Sequence, residues 1–514
     1  CLIGIVAIGV SYAWWRFTTM QTGENTAISK CLKLELSNES DAINLTNMYP
    51  ISDEEGRKLT PYTFTLTNTC TLSAEYKLNM EMLEGTTLNS KYVAVMVNNG
   101  NINLLSSYDT ATTVIDGSTE SRILDNGILG PNGSKDYSVS LWMDKSVTLE
   151  DDAQNKVFKS KIVVNAEATD EEILRDKIVQ LAQSDTVNFA SDDPDNNIRY
   201  IGADPSNYVY FNCSDYSNPT ADTCELWRII GVFNNVTKSD GSKDNLVKII
   251  RVDSLGVYYW DYKGKGVGTS TSFYGSSDWT DSQLMMMLNP TNYLKSGYTN
   301  SNDIISSENQ QLYSKMGSYY NGTKGCEPAY VASGASFSCT EADFTSTGLK
   351  NDTTRNAIEE VVWNLGGTDA DKTSTASMFY TAERGTTVYS GYATTWTGKI
   401  GLMYPSDYGY ATSGGTTKDR AACLAKELFN WLNTDSTDCY KNDYLFDASN
   451  VQWTLAPYSV YEAHAFIVHN YGGVYYEQIR FTHAVRPALY LKSSIFVDKG
   501  AGTSTDPYQL KLTS

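Results

Sequence analysis

The chain has 514 residues, with 40 Lys and Arg against 60 Asp and Glu for a formal charge of −20 at pH 7. A surface of that sign repels phosphate backbones and anionic headgroups, which excludes nucleic acid as a partner. The length exceeds what one hydrophobic core serves and predicts two or three domains, while 36 Tyr among many Ser, Thr, Asn and Gly predict β-rich domains with aromatic, polar surfaces.

The first residues, Leu2-Ile-Gly-Ile-Val-Ala-Ile-Gly-Val10, are apolar, and Ser11-Tyr12-Ala13 sets small residues where a signal peptidase needs them. With no initiator Met and no basic stretch ahead of it, the run reads as the end of a longer leader. Residues 1–15 are either a signal peptide cut after Ala13 or an uncleaved signal anchor, the one tie to a membrane that the sequence offers. Apart from Cys1, the nine cysteines fall into neighbours: Cys31 with Cys70, Cys213 with Cys224, Cys326 with Cys339, Cys423 with Cys439. No pair has C-x-x-C spacing and the chain has three His, so neither structural zinc nor any other metal or cofactor is expected. Four local disulfides are expected from proximity, one of about 105 connectivities open to eight cysteines, and they imply an oxidising, extracellular or cell-surface location.

Residues 30–168 read as all β. Leu32-Lys-Leu-Glu-Leu36 and Tyr62-Thr-Phe-Thr-Leu-Thr67 alternate, and Glu75-Tyr-Lys-Leu-Asn-Met80, Tyr92-Val-Ala-Val-Met-Val97, Tyr137-Ser-Val-Ser-Leu-Trp142 and Ile162-Val-Val-Asn-Ala-Glu-Ala168 follow, separated by Asn99-Gly100, Asp116-Gly117 and Gly130-Pro-Asn-Gly133. This predicts a β-sandwich. The apolar leader, the small-residue cut, the Leu-x-Leu strand, Thr63-Phe-Thr-Leu-Thr-Asn68 and the closing Asn165-Ala-Glu-Ala168 together resemble the TasA/camelysin family of Gram-positive biofilm-matrix and surface proteins. The resemblance implies a jelly-roll-like sandwich that can self-associate by pairing its N-terminal segment with a neighbour's sheet edge.

Thr169 and Glu172 form a capping box ahead of Leu174, Ile178 and Leu181 on one helical face, so residues 169–187 read as a helical connector. The polar Ser191-Asp-Asp-Pro-Asp-Asn-Asn197 lacks the Gly and distal Glu of a calcium loop and reads as a solvated linker. Residues 188–514 read as one α+β domain. Tyr208-Val-Tyr-Phe211 and the run 225–233 form a hairpin stapled by Cys213–Cys224, with Leu246-Val-Lys-Ile-Ile-Arg-Val252 the next strand. Helices are expected over 281–288, with its Met residues in the core, over 354–365, ended by Gly366-Gly367, and over 419–432. Near the C-terminus, Val485, Pro487, Leu489 and Leu491 alternate as a strand entering a core, close to the strand begun by Trp453, and Arg486 is expected to bond backbone or a carboxylate. Trp227-Arg-Ile-Ile-Gly231, Asn430-Trp-Leu-Asn433, Trp453-Thr-Leu455 and Val485-Arg-Pro-Ala-Leu489 resemble an uncharacterised domain of Gram-positive surface proteins related to the formylglycine-generating-enzyme type of C-type-lectin-like fold. That resemblance implies small sheets, two or more helices and long loops pinned by disulfides, and it supplies no function by itself.

Catalysis is not expected. A formylglycine-generating oxidase needs two reactive cysteines in its cleft, whereas Cys423 and Cys439 read as paired, and His464, His469 and His483 accompany no G-x-S-x-G elbow. Clustered aromatics remain, since sugars stack their C–H faces on such rings while hydroxyls bond to Asn, Asp and Gln. The candidate ligand-binding residues are Trp396, Tyr404, Asp407, Tyr408, Tyr410, Tyr458, Tyr461 and Tyr471. The sequence is thus read as a multidomain adhesion or recognition protein: jelly-roll-like sandwich, connector, and a C-type-lectin-like head that binds a glycan or a surface protein. A structural matrix or fibre subunit assembled through the sandwich is the rival reading, and an enzyme the third.

Overall fold

A computed structural model describes residues 13–15, 32–35, 49–69, 73–113, 117–130, 133–148, 150–153, 156–169, 172–265, 268–290, 315–331, 336–415, 419–432 and 439–512. The leader reading of residues 1–12 and the Cys31–Cys70 bridge lie outside them. The chain divides into two compact units, Cys1–Ile173 and Leu174–Ser514, and both are dominated by β-sheet.

In the first unit the strands are β1 (Leu32–Glu35), β2 (Tyr62–Asn68), β3 (Ser73–Met82), β4 (Val93–Val97), β5 (Ile102–Leu104), β6 (Glu120–Leu129), β7 (Ser134–Asp144) and β8 (Ser160–Thr169). One sheet runs β1-β2-β7-β4-β5 and the other β8-β3-β6, with Ala13–Trp15 parallel to β8. Alternation sends Tyr62, Phe64 and Leu66 of β2 inward, where they share one core with Leu78 and Met80 of β3 and Ile162 and Val164 of β8. Two sheets over one core make this unit a β-sandwich. Its central polar pair is Tyr76 and Tyr137, hydroxyl to hydroxyl at 2.7 Å, with Tyr137 donating to Asp125 at 2.6 Å.

The second unit opens with α1 (Leu174–Ala182). Thr169 belongs to strand β8, so the helix starts later than its capping box suggests, and Leu174 and Ile178 are buried in this unit's own core rather than serving a free connector. The strands that follow are β9 (Ile198–Tyr200), β10 (Tyr208–Phe211), β11 (Glu225–Thr237), β12 (Lys243–Arg251), β13 (Val257–Tyr259), β14 (Lys324–Val331), β15 (Ser336–Asp343), β16 (Val361–Asn364), β17 (Thr395–Gly398), β18 (Ile400–Gly401), β19 (Gln452–Pro457), β20 (His464–Val468), β21 (Val474–Gln478), β22 (Thr482–Ala484), β23 (Ala488–Leu491), β24 (Phe496–Lys499) and β25 (Tyr508–Lys511). Interspersed are α2 (Gln283–Leu288), α3 (Asp352–Ala357), α4 (Ala376–Glu383), α5 (Pro405–Tyr410) and α6 (Arg420–Leu424). The main sheet runs β24-β25-β10-β11-β12-β23-β18 with β9 on β11, a second runs β13-β22-β19-β20-β21, and β14-β15 and β16-β17 are separate pairs.

The hairpin β10-β11, the strand β12, the buried Met285, Met286 and Met287 of α2 and the buried Val485, Leu489 and Leu491 match the expectations from sequence. Arg486 donates to the carbonyls of Arg251 and Leu445 and to Gln452 Oε1 at 2.8, 3.1 and 3.2 Å. Two expected helices are shorter. After α3, Ile358 turns extended and Val361–Asn364 becomes strand β16, because β-branched and aromatic side chains suit a pleated surface. The helix expected over 419–432 is α6 followed by a separate turn of 3-10 helix, Leu428–Asn430.

Disulfides join Cys213 to Cys224, Cys326 to Cys339 and Cys423 to Cys439, which befits an oxidising environment. Among the described residues no helix is long and apolar enough to cross a membrane.

Candidate functional site

The 191–197 stretch is solvent-exposed at five of its seven residues, as expected, but Asp193 and Asn197 are buried and pin it to the fold. Asp193 accepts from the backbone and side-chain nitrogens of Asn197, both at 2.9 Å, and from Arg199 Nε at 2.6 Å. Asn197 Oδ1 in turn accepts from Asn234 N at 2.7 Å, and the Asn234 amide returns to the carbonyls of Asp195 and Asn196 at 3.2 and 3.0 Å. This ties the 193–197 loop to a bulge in β11, where the register shifts between Phe233 and Val236. Asn196 and Asn235 hold φ of 53° and 54°, a left-handed backbone that asparagine tolerates better than most residues.

Loop, bulge, β16 and α4 surround a cavity of about 230 Å³. Four of its lining rings, Phe233, Trp363, Tyr404 and Tyr490, also enclose the buried ammonium of Lys248, with centroids 5.4, 5.3, 4.5 and 5.6 Å from Nζ. Lys248 Nζ lies 2.5 Å from Asp407 Oδ2, and Arg199 Nη1 lies 2.9 Å from Oδ1. Burial pushes the Asp407 carboxyl up, but Lys248 and Arg199 more than offset it and hold its pKa at about 2; burial dominates at Lys248 and lowers its pKa. Two cations and the carboxylates of Asp193 and Asp407 thus form a closed set that fixes the floor from beneath.

At the rim, Tyr380 donates to Asp195 Oδ2 at 2.6 Å and accepts from Asn197 Nδ2 at 2.8 Å. The Arg384 guanidinium lies over the Tyr380 ring, 3.4 Å from its centroid, and Nη1 donates to Tyr380 O and Glu383 Oε2 at 3.2 and 3.3 Å. Arg384 Nε is 3.8 Å from Asp195 Oδ2. Burial raises the Glu383 pKa to about 7 against the pull of Arg384 and of the Ser406 hydrogen bonds. The Tyr404 hydroxyl clamps the backbone of Asn364, donating to its carbonyl at 2.9 Å and accepting from its N–H at 3.0 Å. Among the described residues, Arg384 Nη2, Asp195 Oδ1 and the side-chain amides of Asn235 and Asn364 make no hydrogen bond, and all four residues line the cavity.

No protein-family model matches this chain, and no curated protein matches it.

Of the eight residues singled out from sequence, Tyr404 lines the cavity and Asp407 sits beneath it as the anion of the cage. Neither is an exposed stacking platform, and Trp396, Tyr408, Tyr410 and Tyr458 are buried as well. All six residues of α5 are buried, so its tyrosines are packing and hydrogen-bonding groups: Tyr408 donates to Gly472 O at 2.9 Å. Trp396 meets Trp279 edge-on at 6.0 Å, one link in a buried series that continues to Trp260 and Trp453. Tyr458 stacks on Tyr476 at 4.1 Å. Tyr461 and Tyr471 are exposed but do not line the cavity. His483 packs on Trp453 and His469 on Tyr471. Among the described residues no group of three or more His, Cys, Asp or Glu is arranged to hold a metal ion.

Sequence reasoning missed Asp195, Asn235, Asn364, Arg384 and Lys248. A usable signal existed for the last, since a lysine amid Leu246, Val247, Ile249 and Ile250 demands a buried counter-ion. The twin asparagines interrupting β11 were a second.

Proposed function

We propose that the chain is a secreted or surface-attached recognition protein that binds a glycan in the second unit, with the sandwich as a jelly-roll-like stalk and the second unit as a C-type-lectin-like head. The observation that carries this reading is the convergence of four uncommitted polar groups on a small cavity floored by aromatic rings. Sugars are recognised by hydroxyls meeting such donors and acceptors, here above rings that are themselves buried and stiffen the floor. The floor is locked by the ion set of Arg199, Lys248, Asp193 and Asp407, so little ordering cost remains for binding. The three disulfides fit an extracellular setting. A glycan array probed with the oxidised full chain, with and without calcium, tests the reading. Saturable binding lost in Asn235→Gly and Asn364→Ala supports it; a folded chain that binds nothing defeats it.

A further inference from the structure

Resting on that reading, we infer that the cavity takes one neutral pyranose ring whose adjacent free hydroxyls bridge Arg384 and Asp195. Size sets the first limit. At about 230 Å³ the cavity falls below the roughly 300–1,000 Å³ that houses drug-sized ligands, so it holds one ring rather than an oligosaccharide.

The donor and acceptor pattern sets the second. A guanidinium only donates, an ionised carboxylate only accepts, and a hydroxyl does both. Arg384 and Asp195 are side by side, Nε and Oδ2 being 3.8 Å apart, yet Nη2 and Oδ1 remain uncommitted. Two neighbouring hydroxyls match this pair, one accepting from Nη2 and the other donating to Oδ1. The amides of Asn235 and Asn364, each both donor and acceptor, serve the remaining hydroxyls whatever their orientation.

Charge sets the third. A ligand carboxylate reaching Nη2 would meet Asp195, and it would approach a chain of net charge −20. An ammonium reaching Asp195 would meet Arg384. A neutral polyol suffers neither repulsion.

Saturation-transfer NMR on the oxidised full chain, titrated with free glucose, galactose and mannose, their deoxy analogues, the matching uronic acids and free amino acids, tests the inference. At least one neutral sugar is expected to bind saturably, and its deoxy analogue lacking one of the paired hydroxyls to bind at least about tenfold more weakly, as for a hydrogen bond to a charged group. Asp195→Asn and Arg384→Gln are each expected to weaken binding by a similar factor. Asn364→Ala and Asn235→Gly remove side-chain amides that make no hydrogen bond among the described residues, and glycine accepts the left-handed backbone at 235, so they should weaken binding severalfold with little change in melting temperature, which keeps the test decisive even where Arg384→Gln does not fold. Preference for a uronic acid over its neutral parent, or binding indifferent to Asp195→Asn, overturns the neutral-diol inference and leaves sugar recognition standing. Amino-acid binding without sugar binding, or no saccharide binding to either chain or variants, overturns both.

Discussion

Replacing Lys248 by Met removes a buried ammonium while keeping the length of the side chain. In the intact protein two cations, Arg199 and Lys248, balance two carboxylates, Asp193 and Asp407, with all four side chains essentially inaccessible to water. Lys248→Met leaves both carboxylates on one guanidinium, and stranding a buried charge costs about 3–5 kcal/mol. The four surrounding rings lose their cation as well, which places the loss toward the upper end. The assay is urea unfolding followed by tryptophan fluorescence, where the midpoint should fall at unchanged slope. Adding Asp407→Asn rebalances the set, so the double variant should be at least about 1 kcal/mol more stable than the sum of the single losses predicts. A pH series adds an independent arm. Asp407 has its pKa held at about 2, so its contribution to stability is present above the ordinary carboxylate range and lost as pH falls through about 2. Without Lys248 that pKa rises, and acid unfolding should begin at higher pH. A single-variant loss below about 1 kcal/mol, or strictly additive effects, would refute the closed ion set as the support of the cleft floor.

Glu327 and Glu383 are buried with pKa values raised by burial from 4.5 to about 7, so the folded chain binds more protons than the unfolded one between those values. Each group therefore contributes roughly 3 kcal/mol of stability that is lost as pH rises from about 5 to 8, and a Glu327→Gln or Glu383→Gln chain whose urea midpoint keeps the pH dependence of the intact chain would contradict the assignment. Gly231→Ala would drive a Cβ into the backbone oxygen of Ile198 where β9 pairs with β11, with no flexible side chain to give way. It should cost about 1–3 kcal/mol by thermal melting and weaken any ligand bound at the 195–197 rim. Peptide mapping without reduction should recover the pairs 213–224, 326–339 and 423–439, and breaking the first by Cys224→Ser should lower stability by about 2–4 kcal/mol.

The strands were legible because their periodicity is a direct imprint of burial. Tyr62, Phe64 and Leu66 alternate with polar neighbours since one face of β2 meets the sandwich core, and burial in β12 is unbroken from Leu246 to Arg251, Lys248 included, because that strand is central in its sheet. Residues 354–365 misled because Ala357, Ile358, Val361 and Leu365 satisfy a helical period equally well, and nothing local reveals that Ile358 turns extended. The aromatic run at 404–410 misled for another reason. Composition says that rings are present, not which way they face, and a six-residue helix buried on every side has no polar face to betray it.

The pairings that build the site had no local signature, because the partners meet only through the tertiary fold. Arg199 reaches Asp407 across 208 residues, Lys248 reaches it across 159, and Tyr380 reaches Asp195 across 185. Only Lys248, a lysine in an apolar strand, signals from its own stretch that it needs a partner; Arg199 in a short strand and Asp407 in a Tyr-rich run do not. What couples them is the cost of burying charge, which only mutual pairing relieves, so the cation and anion sets must be solved together. The same requirement explains the division of labour at the cleft. Residues committed to the ion set are buried, whereas Asp195 and Arg384, with side chains 55% and 24% exposed, keep polar atoms that make no hydrogen bond among the described residues.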